Sequence, residues 1–537
     1  MTYEKNMPAK KLRVVLIKPS KYEPAHRGGY VQRFRKGFMP NSTLPFIRSM
    51  TPDEFEGTPL EVFAIDEYVQ TDLGYLELLK GADCPVLLAL VGTQSHQFQR
   101  ALDLALFARS RGVDHCIIGG PHPMTCDTTL LHGRGVSFAL AEAELIWPSI
   151  LHDALHGELR PVYGQGERWQ RELDSPVLIP PSRSELRRHV VPMLGIYPAR
   201  GCPYSCNFCS VIKIAGHKVR SQTIATTIES LRAAKRAGVR MIMFTSDNFN
   251  KYPEAAALLQ TMIDEKVQLP FFVQCDTQIT RDEALVELLG RAGCFQMFVG
   301  VESFDRAILR AAKKFQNKPE TYGEIVRLCE AHGITSHFAN IIGFPEQDAD
   351  MILEHLRVLR QMRPLFASFY ILAPIPGTEQ YDDFLREGLI TENNLDRFDT
   401  LSGVWRHPRL TDSELEGLWC RCYREFFALR DIGSKHLNPA WRRVSLFLHT
   451  VDIGASLFSR FSAWRRIHPM AGGIGQVSVD AVSDYLGLRR AFCGRDLLPL
   501  PASLSLSQAD EAFNRQARIP LTMSSESVEK RPHVEYS

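Results

Sequence analysis

The sequence predicts an α/β protein with two successive sheet domains and a helical C-terminal extension. Three observations carry this. Residues 11–150 alternate short apolar, strand-like runs with amphipathic stretches, a second alternation of the same kind starts near residue 190, and strand-like runs cease near residue 410.

In the first series, Leu12 to Ile17, Leu60 to Ile65, Val86 to Val91, His115 to Ile118 and Val136 to Leu140 read as strands, with a helix over Gln97 to Arg111. Short apolar runs separated by helices make a parallel, doubly wound sheet. Lys21 to Glu56 is a long irregular stretch with Gly, Pro and Arg, of the kind that often carries function. The first domain is placed at residues 10–160, and residues 161–189, polar with Pro180 and Pro181, form a linker. Residues 190–405 hold six strand–helix steps, with strands at Leu194 to Ala199, Met241 to Thr245, Phe271 to Gln274, Gln296 to Val301, Ser336 to Ile342 and Ala367 to Leu372. Six steps match a partial barrel better than an eight-fold one. Residues 406–500 read as a helical extension with helices over Leu415 to Leu429 and Trp441 to Trp464. Residues 501–537, rich in Ser and charge, read as a disordered tail.

The chain has 537 residues, 45% apolar and 23% charged, with a net charge of +2. So balanced a surface gives no field suited to nucleic acid. Met1 to Leu12 is polar and lysine-rich, which predicts no signal peptide. No run of about 18 uncharged apolar residues predicts a spanning helix. Twelve cysteines in such a chain predict a reducing, cytoplasmic setting. Cys84, Cys116, Cys275, Cys294 and Cys329, each set singly among apolar residues, read as small buried hydrophobes.

Cys202, Cys206 and Cys209 differ. They lie in Gly201-Cys-Pro-Tyr-Ser-Cys-Asn-Phe-Cys209, directly after the first strand of the second series. Three soft thiolates on one loop suit an iron–sulfur cubane and leave its fourth iron open for a ligand. Zinc is the alternative, with His217 as the fourth ligand that a closed zinc site requires.

This loop, with Phe208 before the third cysteine, resembles that of the radical S-adenosylmethionine (SAM) superfamily, and the resemblance covers about residues 190–400. It implies a [4Fe-4S] cluster whose open iron is chelated by the amino and carboxylate groups of SAM, and reductive cleavage of SAM to a 5′-deoxyadenosyl radical. It further implies an electron donor such as flavodoxin or ferredoxin. By the same resemblance Asp247, in Thr245-Ser-Asp-Asn-Phe249, holds the SAM amino group. Glu302, in Gly300-Val-Glu-Ser303, accepts from the ribose hydroxyls, and Gly343 lets backbone approach the adenine. Ala373-Pro-Ile-Pro-Gly-Thr378 is the closing turn, and Arg220 lies near SAM.

The first domain resembles a cobalamin-binding domain, on Val91-Gly-Thr-Gln-Ser95, Gly119-Gly-Pro-His-Pro123 and Ala141-Glu-Ala-Glu144, all at strand C-termini where open α/β sheets bind ligands. This implies cobalamin contacts from Gly92, Thr93, Ser95, Gly119, Gly120 and Glu142. Two departures stand out. The Asp-x-His-x-x-Gly motif that supplies a lower cobalt ligand is absent, so cobalamin would be base-off without that histidine. Ala141 stands where the family has glycine. His122 reads as a loop residue rather than a cobalt ligand.

Together the resemblances imply a cobalamin-type domain, a partial (β/α)6 radical SAM barrel and a helical extension, acting as a cobalamin-dependent C-methyltransferase on an unactivated carbon of a small or hydrophobic metabolite. Radical cyclisation or oxidation without methyl transfer uses the same architecture. A non-catalytic corrin-binding protein is the reading that the intact cysteine loop opposes. Trp441 to Trp464, with Val444, Phe447, Leu448, Val451, Ala455 and Phe458 on one side and Trp and Arg at its ends, suits either a core helix or a peripheral membrane contact.

Overall fold

The computed structural model describes residues 11–23, 29–436, 446–467, 469, 472–515 and 517. The first sheet contains parallel strands β1 (Leu12–Lys18), β2 (Thr58–Asp66), β3 (Val86–Leu90), β4 (His115–Gly119), β5 (Ser137–Ala139) and β6 (Val162–Tyr163). They lie in the order β2-β1-β3-β4-β5-β6, with the short strand Glu54–Phe55 antiparallel on the β2 edge. The register Val15↔Phe63 and Val15↔Leu88 sets β1 between β2 and β3. This doubly wound order reverses between β1 and β3, the place where such sheets open a ligand crevice. β3 is buried along its whole length, which is why it reads as a continuous apolar run. Helices Thr43–Ser49 and Ala143–His156 cover one face and helix Phe98–Ser110 the other.

The second sheet holds β7 (Met193–Ile196), β8 (Met241–Phe244), β9 (Phe271–Cys275), β10 (Cys294–Glu302), β11 (Thr335–Ile342) and β12 (Phe366–Ile371). They pair in sequence order, all parallel, from β7 to β12. This is the expected partial (β/α)6 barrel. Its helix Ile224–Ala237 is capped by the Thr223 side chain, which accepts from Thr226 N, and ends at Gly238 with φ 96°. The core on the Phe98–Ser110 face of the first sheet runs into the barrel's closing region through Phe344, Leu372 and Trp405, so the two sheets share packing.

Three expectations are corrected. The segment placed as a linker carries β6, which extends the first sheet by pairing Phe138↔Val162. The irregular stretch after Lys21 contains a strand, Arg33–Gly37, antiparallel to Gly473–Val477 of the extension. The segment expected as a disordered tail forms helix Gln508–Arg515, because Asp510 is buried against Arg168 (3.3 Å) and Asn514 Oδ1 accepts from His217 N (2.8 Å). Residues 518–537 lie outside the described residues. The last two of these elements depend on partners hundreds of residues away, and β6 is only two residues long, so local periodicity carries no sign of any of them.

The extension is fastened to the first domain by buried charges. Glu67 accepts from Arg33 (3.2 Å) and Arg100 (2.5 Å), and both arginines also reach Asp480 (2.5 and 2.6 Å). Arg489 pairs with Asp103 nearby. Tyr75 and Tyr485 hydroxyls donate to Glu67 and Asp480 (2.6 and 2.7 Å). With each arginine set against carboxylates, such a network tolerates the low dielectric that would penalise any one charge alone, although Arg33 Nε finds no partner.

Candidate active site

The cysteine loop leaves the C-terminal end of β7 and is shaped by its backbone. Gly201 has φ 109°, and a Cβ there would sit 2.3 Å from the Lys218 carbonyl, so the loop start requires glycine. Cys202 N donates to Gly216 O (3.0 Å) and Cys209 N to Cys206 O (3.2 Å). All three thiols are free and part-exposed. Burial pushes them up, Cys209 to about 12, so the metal-free loop holds protons that a metal must displace. Gln316 Nε2 lies 3.7 Å from Cys206 Sγ and Asn248 Nδ2 4.0 Å from Cys202 Sγ, so these amides would donate to the sulfurs that would hold a cluster. The His217 ring nitrogen Nδ1 sits 3.1 Å from the Cys202 carbonyl, which ties the ring to backbone. A donor set of three soft thiolates on one loop fits a [4Fe-4S] cluster.

Asp247, after β8, accepts from Gly201 N (2.7 Å), which holds the carboxylate against the loop. Burial raises its carboxyl, opposed by Arg200 and Arg220. Glu302 ends β10 in the left-handed region at φ 62°, an uncommon conformation for a side-chain-bearing residue. Its Oε1 accepts from Lys314 Nζ (2.5 Å), and the ammonium also lies 5.7 Å from the Phe208 ring centroid. Glu302 and the nearby thiols hold the Lys314 ammonium above its ordinary range despite burial. Lys314, which no motif singles out, thus links Glu302 and Phe208 to the cluster loop. Gly343 has φ 83°, donates to Gln347 Oε1 (2.8 Å), and would drive a Cβ to 2.8 Å from Leu415. Its freedom is used for packing against the extension.

A cavity of about 250 Å³ opens between the two sheets. Gly92, Gly119, Gly120 and Glu142 line it from the first domain, and Tyr197, Arg200 and Asp247 from the barrel. Gly120 has φ 131°, and a Cβ there would lie 2.2 Å from Thr93 N, so the rim stays flat backbone. Thr93 and Ser95 are buried outside this lining. Thr93 N donates to Gly119 O (2.9 Å), and Ser95 Oγ pairs with His122 Nδ1 (3.0 Å). His122 stacks on Phe98 at 3.9 Å and burial holds its ring neutral, its pKa pushed down to about 3. It is a core residue, and no histidine lines the cavity among the described residues. A mostly apolar lining with a glycine rim fits the face of a large conjugated ring such as a corrin.

Glu142 is bound otherwise than a loop contact would suggest. It accepts from Arg220 Nη1 (2.6 Å) and Arg200 Nη1 (3.3 Å), and Glu144 pairs with Arg200 Nη2 (2.8 Å). The two arginines flank the cysteine loop, so two carboxylates of the first domain grip both of its ends. The Arg200 guanidinium also lies over the Phe46 and Tyr197 rings at 4.9 and 5.3 Å.

Comparisons with known proteins agree with this architecture. Residues 196–359 match the family model described as the radical SAM superfamily. The bacteriochlorophyllide d C-12(1)-methyltransferase of Chlorobaculum tepidum is 24% identical over 60% of this chain and 72% of its own. Among solved structures, the radical SAM methyltransferase TsrM of Kitasatospora setae, with cobalamin and a [4Fe-4S] cluster bound, superposes with TM-score 0.57 at 16% identity, over 80% of this chain and 90% of that one. OxsB, a cobalamin-dependent SAM radical enzyme with aqua-cobalamin and SAM bound, gives 0.55 at 14% identity, over 90% and 79%. Fold and cysteine loop define a radical SAM enzyme. More particularly, its α/β domain followed by a barrel is the fold of these two cobalamin-binding radical SAM proteins.

Proposed function

We propose that the protein binds cobalamin between its two sheet domains and methylates an unactivated carbon of an apolar small molecule, a reading supported by the methyltransferase relative that acts on a bacteriochlorophyllide. The observation that carries it is one cavity with two walls: the glycine rim of the first sheet, and Asp247 and Arg200 beside the cysteine loop. When bound, the cluster supplies the electron that cleaves SAM and cobalamin supplies a methyl carrier. The chain's own residues do the rest. Cys202, Cys206 and Cys209 anchor the cluster, Asp247 offers a carboxylate to the SAM ammonium, and Glu302, held by Lys314, faces the ribose. The apolar cavity wall excludes water from a radical reaction. A flavodoxin or ferredoxin is the electron source in this scheme.

Anaerobic reconstitution of the full chain tests it. About four irons should be incorporated, hydroxocobalamin should bind with a base-off spectrum, and Cys206→Ala should form no 5′-deoxyadenosine while still binding the corrin. SAM cleavage by Cys206→Ala would sink the cluster assignment. A full chain that binds no corrin would sink methyl transfer.

The helix Leu446–Trp464 favours a contact with a membrane surface. Among the described residues no helix is long and apolar enough to cross a membrane. The side expected to be apolar faces inward, as the core-helix reading has it: Val451 and Ala455 pack against the protein and Phe458 stacks on Phe38, while Val444, Phe447 and Leu448 lie outside the residues whose side chains are described. Asp452, Ser456, Ser459 and Ser462 point inward, and Ile453, Leu457, Phe461 and Trp464 point out, Phe461 55% and Trp464 75% exposed. An outward apolar stripe ending in Trp464-Arg465-Arg466 suits an interfacial position. Wild type should co-sediment with anionic liposomes and a Phe461→Glu/Trp464→Glu variant should not. Wild type that stays in the supernatant rules the contact out.

A further inference from the structure

At the edge of the first sheet opposite the cavity, three side chains converge. Glu56 and Gly57 are the central residues of the turn joining Glu54–Phe55 to β2, both with positive φ (49° and 75°), as a tight hairpin turn requires. His152 and His156 sit one turn apart on helix Ala143–His156, so their rings share a face, with centroids 4.3 Å apart. His152 Nδ1 lies 2.9 Å from Glu56 Oε1. His156 Nδ1 lies 2.8 Å from the His152 carbonyl, and a proton donated there leaves Nε2 with a free lone pair. Metal-binding imidazoles are oriented in this way. One ligand atom from each of the three residues lies within 4.8 Å of the others.

We propose that Glu56, His152 and His156 form a Zn²⁺ site, with water as the fourth ligand. Two imidazoles and one carboxylate are a nitrogen–oxygen set that zinc accepts in a tetrahedron. Bonds of about 2.0–2.1 Å place such ligand atoms about 3.4 Å apart, and because all three side chains are exposed, rotamer changes close the gap without moving the backbone. A bound ion would pin the hairpin to the end of the helix and stiffen the sheet on the side away from the cofactors. No residue of the cysteine loop or the cavity takes part.

The test uses the untagged full chain with its cluster reconstituted, so that iron occupies the cysteine loop, titrated anaerobically with Zn²⁺ against a chromophoric indicator. The expected result is one zinc per chain with a Kd of about 1 µM or tighter. His156→Ala and Glu56→Gln should each weaken it at least about tenfold and remove the rise in melting temperature that zinc gives the wild type. Unchanged iron content and circular dichroism show that the variants are folded. Absence of saturable zinc binding in the wild type, or wild-type affinity in either variant, overturns the site and leaves His152 and Glu56 as a surface ion pair only.

Discussion

At the scale of single residues, the Lys314–Glu302 pair is the sharpest test of the site. Both side chains are almost wholly buried. Deleting one member of a buried pair strands the other charge, at a cost of about 3–5 kcal/mol. Lys314→Met should therefore lower the melting temperature by several degrees and weaken SAM binding in equilibrium dialysis. Unaltered SAM affinity would separate Glu302 from the SAM site. The sequence showed one of these partners and not the other. Cys202, Cys206 and Cys209 stand out in the sequence by their spacing, and Asp247 and Glu302 by the motifs that resemble those of the superfamily. Lys314 and Arg200 are not, because a charge acquires its role from the group it meets. Lys314 meets Glu302 12 residues away and Arg200 meets Glu142 58 residues away.

At the scale of elements, Leu446–Trp464 shows what periodicity can and cannot reveal. Its helical character was readable, but the choice of inward face turned on Asp452, whose Oδ2 accepts from Thr335 Oγ1 (2.9 Å) at the foot of β11. Burial pushes the Asp452 carboxyl up to about 7. A carboxyl raised on folding keeps its proton in the native state after the unfolded chain has lost it. Its effect on stability is therefore absent below about pH 4, and stability falls as pH rises from there to about 7, by up to about 4 kcal/mol. Asp452→Asn should remove that component and melt higher than the wild type at pH 8. Equal pH dependence in the two proteins would contradict the burial. Strands and helices of both sheets were readable to within a few residues, because each is a run with its own period. β6, two residues long, is too short to show a period, and the Arg33–Gly37 strand and the helix at Gln508–Arg515 depend on partners from distant parts of the chain.

At the scale of the whole molecule, the grip of Glu142 and Glu144 on Arg200 and Arg220 sets the first domain against the cysteine loop. Glu142→Gln should cost about 3 kcal/mol and speed hydrogen exchange in residues 199–221, while the isolated cobalamin spectrum stays base-off. Protected exchange in that segment would show that packing alone holds the domains. The second fastening has a consequence for how the protein is made. Arg33, Arg100 and Glu67 are all synthesised within the first 100 residues, yet the carboxylate that balances the second arginine is Asp480, 380 residues beyond Arg100. A ribosome adding about 5–20 residues per second leaves both arginines without Asp480, and Asp103 without Arg489, for some tens of seconds. Until then the first domain has its parallel strands but not its ion pairs, and its native interior closes only once Asp480 and Arg489 have been made.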